Sequence, residues 1–163
     1  MYTYFEEQMN IDKAFLDKLF EQATANPRLR QNYDLRTSPN DHSQRMLNAL
    51  LPGTQVAIHR HPNSTENVLL LCGKIVEIFY EEVDALLSTQ TENAIAFEQG
   101  MDAQHVTTGR RLREVKRIVL DPAKGCFGCV IPQGMWHKVE ALEPSVMYEA
   151  KDGKYGEDGS EMF

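Results

Sequence analysis

The chain has 163 residues, 42% of them hydrophobic and 25% charged; this fits one globular domain that buries a core without disulfides, and it excludes a disordered or fibrous chain. Its formal net charge is −7, from 17 Lys and Arg against 24 Asp and Glu, so it has no general attraction for phosphate backbones and no nucleic-acid partner is expected. The longest apolar run, Val68 to Cys72, is too short for a bilayer, three cysteines do not make a disulfide framework, and the first residues lack a secretion-signal pattern, so the expected setting is the cytoplasm, away from membranes.

In chain order, the first predicted element is a helix from Ile11 to Ala25. Asn10 is the expected cap, and Asp12 falls in the first turn, where the helix dipole favours a carboxylate. Ile11, Ala14, Phe15, Leu19, Phe20 and Ala23 share one side at helical spacing, and Asn26-Pro27 ends the run. Such a helix packs on a sheet or on a partner subunit. Residues 28–43 are polar and irregular and read as an arm. Its Arg28, Arg30 and Arg36 are either solvated charge or an anion contact. Residues 1–43 thus form an N-terminal helix and arm.

Short β-branched and apolar runs follow at Gln44–Leu51, Gln55–His61, Asn67–Leu71, Lys74–Tyr80, Arg113–Leu120, Cys126–Ile131, His137–Leu142 and Val146–Ala150. Pro52-Gly53, Gly73, Pro132-Gln-Gly134 and Glu143-Pro144 punctuate them. Many short strands between such turns predict an antiparallel sandwich or barrel over residues 44–150. Residues 84–111 fit this pattern poorly and read as an insertion. Residues 151–163 are Gly- and acid-rich, a segment expected to wrap the surface or fray.

The informative stretch is Gly-x5-His59-x-His61-x4-Glu66-x6-Gly73. Strand alternation points His59 and His61 the same way, with Gln55 and Ala57 on that face. Glu66 follows a turn begun by Pro62 and can fold back toward the imidazoles. Pro132-Gln-Gly134-Met-Trp-His137 supplies a fourth candidate ligand, His137, at the start of a strand. His59, His61, Glu66 and His137 would leave coordination positions open on one divalent transition metal, Zn, Fe, Mn or Ni. The alternative is a set of structural histidines.

Other residues have two readings each. Asn48 and Arg45 take opposite faces of their strand, Asn48 reaching inward to a ligand and Arg45 pairing at an edge or binding ligand. Gln55 is the expected pocket residue on the ligand face. Trp136 either packs or contacts ligand. Tyr148 either packs or serves as a proton donor, and Glu66 can act as a base as well as a ligand. Cys126-x-x-Cys129 lacks the second pair of a zinc knuckle and reads as ordinary thiols. His42 and His105 read as solvent-facing, with His105 a lid residue if the insertion folds back.

The two motifs resemble those of the cupin superfamily. The first matches residue by residue; the second departs in that Gly125 stands one residue further from Pro132 and Ala141 replaces a common Asn. Gln44-Arg45-Met-Leu-Asn48 through Gly53, His59-Arg-His61-Pro62, Trp136-His137 and the stretch Tyr148-Glu149-Ala-Lys151-Asp-Gly153-Lys-Tyr155 are similar to the WbuC family of cupin-fold metalloproteins. The resemblance implies an all-β fold with an N-terminal helix: an antiparallel double-stranded β-helix, the cupin or jelly-roll barrel. It also implies a link to surface-polysaccharide metabolism. Three functions are compatible. The first is a metal-dependent isomerase, epimerase or oxygenase on a small polar, sugar-derived substrate. The second is a metal-containing module that binds a sugar or anion without turnover, and the third is a structural metal in an oligomerising scaffold. A homodimer and a small-molecule ligand are the expected partners.

Overall fold

A computed structural model describes residues 10–84, 106–107 and 110–163. Helix α1 spans Lys13–Ala25. Its cap is Asp12 rather than Asn10, because the Asp12 carboxylate accepts from the Phe15 backbone N–H at 2.9 Å and so satisfies an otherwise orphaned donor. Leu19 and Ala23 are buried, and with Phe15, Leu16 and Phe20 they pack on Leu47, Ala49 and Val146 of the sheet beneath.

The arm is not irregular throughout. Arg30–Asp34 forms strand β1, antiparallel to β2, Ser43–Leu50. The sequence Arg-Gln-Asn-Tyr-Asp has weak strand propensity, and pairing with the edge of β2 overrides it. The remaining strands are β3 (His59–Arg60), β4 (Glu66–Cys72), β5 (Ile75–Asp84), β6 (Val106–Thr107), β7 (Arg110–Leu120), β8 (Gly128–Ile131), β9 (Trp136–Ala141), β10 (Ser145–Asp152) and β11 (Glu161–Met162). Two antiparallel sheets result, one in the order β1-β2-β10-β4-β8 and the other in the order β11-β3-β9-β5-β7-β6.

Two further expectations change, and a third is untested. Of the run Gln55–His61 only His59 and Arg60 enter a ladder. Most of residues 84–111 lie outside the described residues, His105 among them. The C-terminal segment neither frays nor merely wraps, since Glu161 and Met162 pair with Arg60 and His59 and the Phe163 N–H donates to the Ile58 carbonyl at 3.0 Å.

Register shows what faces the space between the sheets. Phe79 lies opposite His137 and Glu77 opposite Val139; in the other sheet Glu149 lies opposite Val68 and Met147 opposite Leu70, with Asn48 opposite Met147. Paired residues share a face. Leu50, Val68, Leu70, Ile75, Phe79, Leu120, Ile131, Val139 and Met147 fill this space from both sheets. The interior is therefore apolar at one end, and toward the other it carries Gln44, Asn48, Glu66, Glu149, Lys151 and the histidines. On the outside of the five-stranded sheet Leu69, Leu71 and Val130 stay exposed. A groove of about 710 Å³ runs between this face and α1, along Leu16, Phe20, Leu47 and Tyr148.

The β4–β5 turn locks onto the β9–β10 turn. The Ser145 hydroxyl donates to the Glu143 carbonyl at 2.7 Å and accepts from the Lys74 N–H at 2.9 Å. Gly73 has φ +85°, and a Cβ there would meet the Pro144 carbonyl and the Ser145 hydroxyl at 2.3 Å. Gly125 has φ +81° with open space around it. Gly125→Ala is expected to cost only the left-handed backbone term, about 1–2 kcal/mol. Gly73→Ala is expected to cost clearly more, because backbone atoms must also move; urea unfolding of the two variants beside the parent checks this.

Candidate metal centre

His59 and His137 are cross-strand partners of β3 and β9, which sets their rings 4.3 Å apart between centroids. The chain then leaves β3 through Pro62 and returns as β4, whose first residue is Glu66. The Pro132-Gln-Gly134 turn clamps this loop: the Gly134 N–H donates to the His61 carbonyl at 2.9 Å, and Gln133 Nε2 donates to the Pro62 carbonyl at 2.6 Å. The second motif thus fixes the first as well as adding a ligand. One ligand atom from each of His59, His61, Glu66 and His137 lies within 4.8 Å of the others. His61, Glu66 and His137 are buried at 7%, 3% and 3% exposure.

Hydrogen bonds orient the rings. His59 Nδ1 sits 2.9 Å from the Ala57 carbonyl and His137 Nδ1 3.0 Å from the Met135 carbonyl. A carbonyl only accepts, so each Nδ1 carries the proton and each Nε2 presents its lone pair to the cluster. His61 Nε2 lies 2.6 Å from Glu66 Oε2, but off the alignment of a hydrogen bond. Both atoms are buried with no hydrogen-bond partner. Leaving such atoms unsatisfied costs about 1–3 kcal/mol each. A divalent cation held by three imidazoles and a carboxylate, at about 2.0–2.2 Å each, would satisfy all four with small side-chain adjustments, so the residues present fit a metal. In metal-free protein burial opposes the charge of Glu66, but the His137 and His61 imidazoles beside it, when they carry a proton on Nε2 as well, hold its carboxyl well below the usual range. Burial, the neighbouring His137 and, less strongly, His61 lower the His59 imidazole to about 4.

Behind His61 stands a group that sequence reasoning missed. Its Nδ1 is 2.7 Å from Ser160 Oγ and 3.0 Å from Lys151 Nζ. Ser160 donates to Asp158, and Asp158 pairs with Lys151, whose side chain is 2% exposed. A metal at Nε2 needs the His61 proton on Nδ1, and Ser160 Oγ is its acceptor. No local motif announces these partners, which come from the segment expected to be loose.

Two interior acids were also missed. Glu149 Oε2 accepts from Asn48 Nδ2 at 2.7 Å and Gln44 Nε2 at 3.3 Å. Burial, together with the negative Glu66, raises Glu149 to about 8. Glu77 is 1% exposed, and burial lifts it well above the carboxylate range, with Glu66 and Glu149 adding to the effect. A visible signal was the single acid inside Ile75-Val-Glu77-Ile-Phe79.

Of the other candidates, Asn48 does face inward. Gln55 does not join the ligand face: residues 54–58 are not in a ladder, alternation does not hold, and the exposed Gln55 amide donates to the Gly53 carbonyl at 3.3 Å. Arg45 pairs with Asp41 at the surface. Tyr148 lies between the inward Met147 and Glu149 and so points outward, under α1. Trp136 points away from the cluster, donating from Nε1 to Glu82 at 2.8 Å beneath the Arg60 guanidinium. Arg36 pairs with Asp34, and His42 is exposed. Cys72, Cys126 and Cys129 are free thiols, and burial, with Glu77 and Glu66, pushes Cys129 up to about 12.

Residues 11–91 match a family model described as a domain of unknown function, DUF6016. No curated protein matches the chain. Among solved structures it is similar to an oxalate oxidase, with TM-score 0.50 and 15% identity over 85% of this chain and 57% of that one. CapF, a capsular polysaccharide assembling protein from Staphylococcus aureus, is similar with TM-score 0.49 and 17% identity over 85% and 32% of the two chains. KdgF from Halomonas sp. follows with TM-score 0.45 and 14% identity over 79% and 83%. The chain spans little more than half the length of the oxalate oxidase. That likeness carries the fold alone: two antiparallel sheets in the cupin, or jelly-roll, arrangement. No helix among the described residues is long and apolar enough to cross a membrane.

Two predictions follow from the geometry. In metal-free protein the unfolded chain protonates residue 59 below pH 6.5, whereas the folded chain resists protonation down to about 4. His59 therefore makes stability rise with pH across that window, by at most about 3 kcal/mol. Urea midpoints of His59→Asn minus parent should shift in favour of the variant as pH falls from 7 to 4.5. Asp158→Ala leaves the Lys151 ammonium buried without its partner and is expected to cost about 3–5 kcal/mol. Adding Lys151→Met to it should recover much of that loss in thermal unfolding.

Proposed function

We propose that this cupin-fold chain is a metal-dependent enzyme of isomerase, epimerase or oxygenase type that acts on a small polar, sugar-derived substrate. One observation carries the reading: His61 Nε2 and Glu66 Oε2 face each other 2.6 Å apart, both buried and without an aligned hydrogen bond, inside a set of three imidazoles and one carboxylate. His59, His61, Glu66 and His137 would hold one divalent transition metal, Zn, Fe, Mn or Ni. Such an ion polarises a carbonyl or hydroxyl as a Lewis acid, or activates water or dioxygen.

The chain's own residues do the rest. The Ala57 and Met135 carbonyls hold two imidazoles in the ligating tautomer. Glu66, kept ionised, is the carboxylate ligand, and it can take a proton only once it leaves the ion and its imidazole neighbours. Asn48 faces the interior from β2 and is the ligand contact retained from the sequence candidates. The apolar rows of Val68, Phe79 and Val139 exclude water from the deep end. The link to surface-polysaccharide metabolism rests on the WbuC-like residues, and a cytoplasmic setting belongs to the same reading. So does a homodimer, for which the exposed Leu69, Leu71 and Val130 offer an apolar face.

The second reading is a metal-containing module that binds a sugar or anion without changing it. It has in its favour that Tyr148, the expected proton donor, lies on the far side of its strand. A bound ligand recovered unchanged after long incubation with metal-loaded protein would select it.

Elemental analysis of untagged protein tests the centre. The expected result is near-stoichiometric metal in the parent, lost in His59→Ala and His137→Ala while circular dichroism is retained. No metal after anaerobic reconstitution with Fe(II), Mn, Ni and Zn would overturn the reading. Oxygen uptake during turnover separates oxygenase from isomerase chemistry.

A further inference from the structure

We propose that Glu77, Glu149, Gln44 and Asn48 form a hydroxyl-binding subsite beside the metal cluster, which takes the uncharged, oxygen-bearing end of a ligand and rejects a second anionic group. This rests on the metal reading, because the cluster would hold the ligand's other end.

Placement comes first. Glu149 lies opposite Val68, so it is the diagonal neighbour of Glu66, with Cα atoms about 7–8 Å apart. Glu77 lies opposite Val139, two residues along β9 from His137. The two acids therefore occupy the row next to the ligand row, one in each sheet, facing across the interior. Glu77 Oε2 and Gln44 Oε1 are buried there without a hydrogen-bond partner, on side chains of 1% and 4% exposed residues. Buried polar groups in folded proteins are nearly always satisfied; the side chains that share their rows are the apolar Val68, Phe79, Val139 and Met147, the weakly polar Cys129 thiol, and Lys151, which is paired with Asp158. Glu149 and Asn48 are only half-buried, so the subsite is not sealed from solvent on that side.

The chemistry of the lining selects the ligand. Glu77 is enclosed with one oxygen orphaned, and Glu149 is hydrogen-bonded by two amides rather than by a cation, so burial favours the neutral carboxyl at both. A neutral carboxyl offers one O–H donor and one carbonyl acceptor, and the two amides offer the same pair. A ligand hydroxyl, donor and acceptor at once, complements every one of them. A ligand carboxylate or phosphate does not: it would meet carbonyl and carboxyl oxygens, and Lys151, the cation nearest Glu149 along its strand, is already paired with Asp158.

Glycerate and tartronate test the subsite. Both present the same α-hydroxycarboxylate and differ at C3, a hydroxymethyl in glycerate and a carboxylate in tartronate. A metal dication by itself favours the dianion tartronate. Co(II)-loaded parent protein is titrated with each acid, and the visible bands report both metal occupancy and ligand binding. The expected result is glycerate binding tighter by about tenfold or more. Glu77→Leu should lose about tenfold in glycerate affinity, one hydrogen-bond partner's worth, with Co(II) occupancy unchanged. Glu77→Gln, neutral and of equal size, should stay within about threefold of the parent; it also serves where the Leu variant does not fold.

Tartronate binding as tightly as glycerate would overturn the subsite. So would failure of both acids to bind the Co(II)-loaded protein, or a glycerate affinity untouched in Glu77→Leu. Absence of the Co(II) bands in the parent would overturn the metal reading itself, and the subsite with it.

Discussion

Glu66 is a carboxylate at 3% exposure, and much of the architecture answers the cost of keeping it there. An isolated buried carboxylate would take up a proton. Here three imidazoles surround it, and each is fixed by a partner of its own: a backbone carbonyl for His59, another for His137, and the Ser160 hydroxyl for His61. The strands are arranged to deliver these groups. β3 and β9 put two histidines side by side, the loop after Pro62 carries the third, and the turn at Pro132 clamps that loop. Such preorganisation is what a site with open positions on a metal requires.

The interior is graded as a consequence. Below the cluster the sheets meet through aliphatic side chains and Phe79, which supply most of the hydrophobic stabilisation. Around it stand Gln44, Asn48, Glu77 and Glu149, none of which improves packing. A chain selected for stability alone would have filled these positions with Val or Leu, as it did at Val68 and Val139. Polar residues that weaken a core are a mark of function.

What was legible in the sequence follows from how local each signal is. The four candidate ligands were readable because two motifs hold them at short spacing, and helix α1 because its apolar side repeats every three to four residues. The cap moved to Asp12 because a carboxylate two residues later reaches the same donors. Gln55 misled because alternation was extended over residues that join no ladder. Asn48 and Arg45 fell on the expected faces, and Tyr148 took its packing reading rather than the proton-donor one, since its face is set by the register of β10, which only pairing with β2 and β4 decides. β1 was invisible because its five residues are strand only by virtue of their neighbour. Glu149 and Lys151 stood in the WbuC-like stretch without a role attached, and Asp158 and Ser160 carried no signal, since their meaning depends on contacts between residues far apart along the chain.

The distance along the chain between His61 and Ser160 has a consequence for biosynthesis. They are 99 residues apart, an interval of roughly 5–20 s at ordinary translation rates of about 5–20 residues per second. Until His137 is made, His59, His61 and Glu66 exist as a short peptide with two imidazoles and one carboxylate, and until Ser160 is made no acceptor turns His61. A peptide of this kind ranks metals by intrinsic affinity and supply, whereas the closed barrel ranks them by geometry. The ion that a nascent chain meets and the ion that the finished fold prefers are therefore set by different rules, and the place of synthesis enters the choice of metal alongside the site itself.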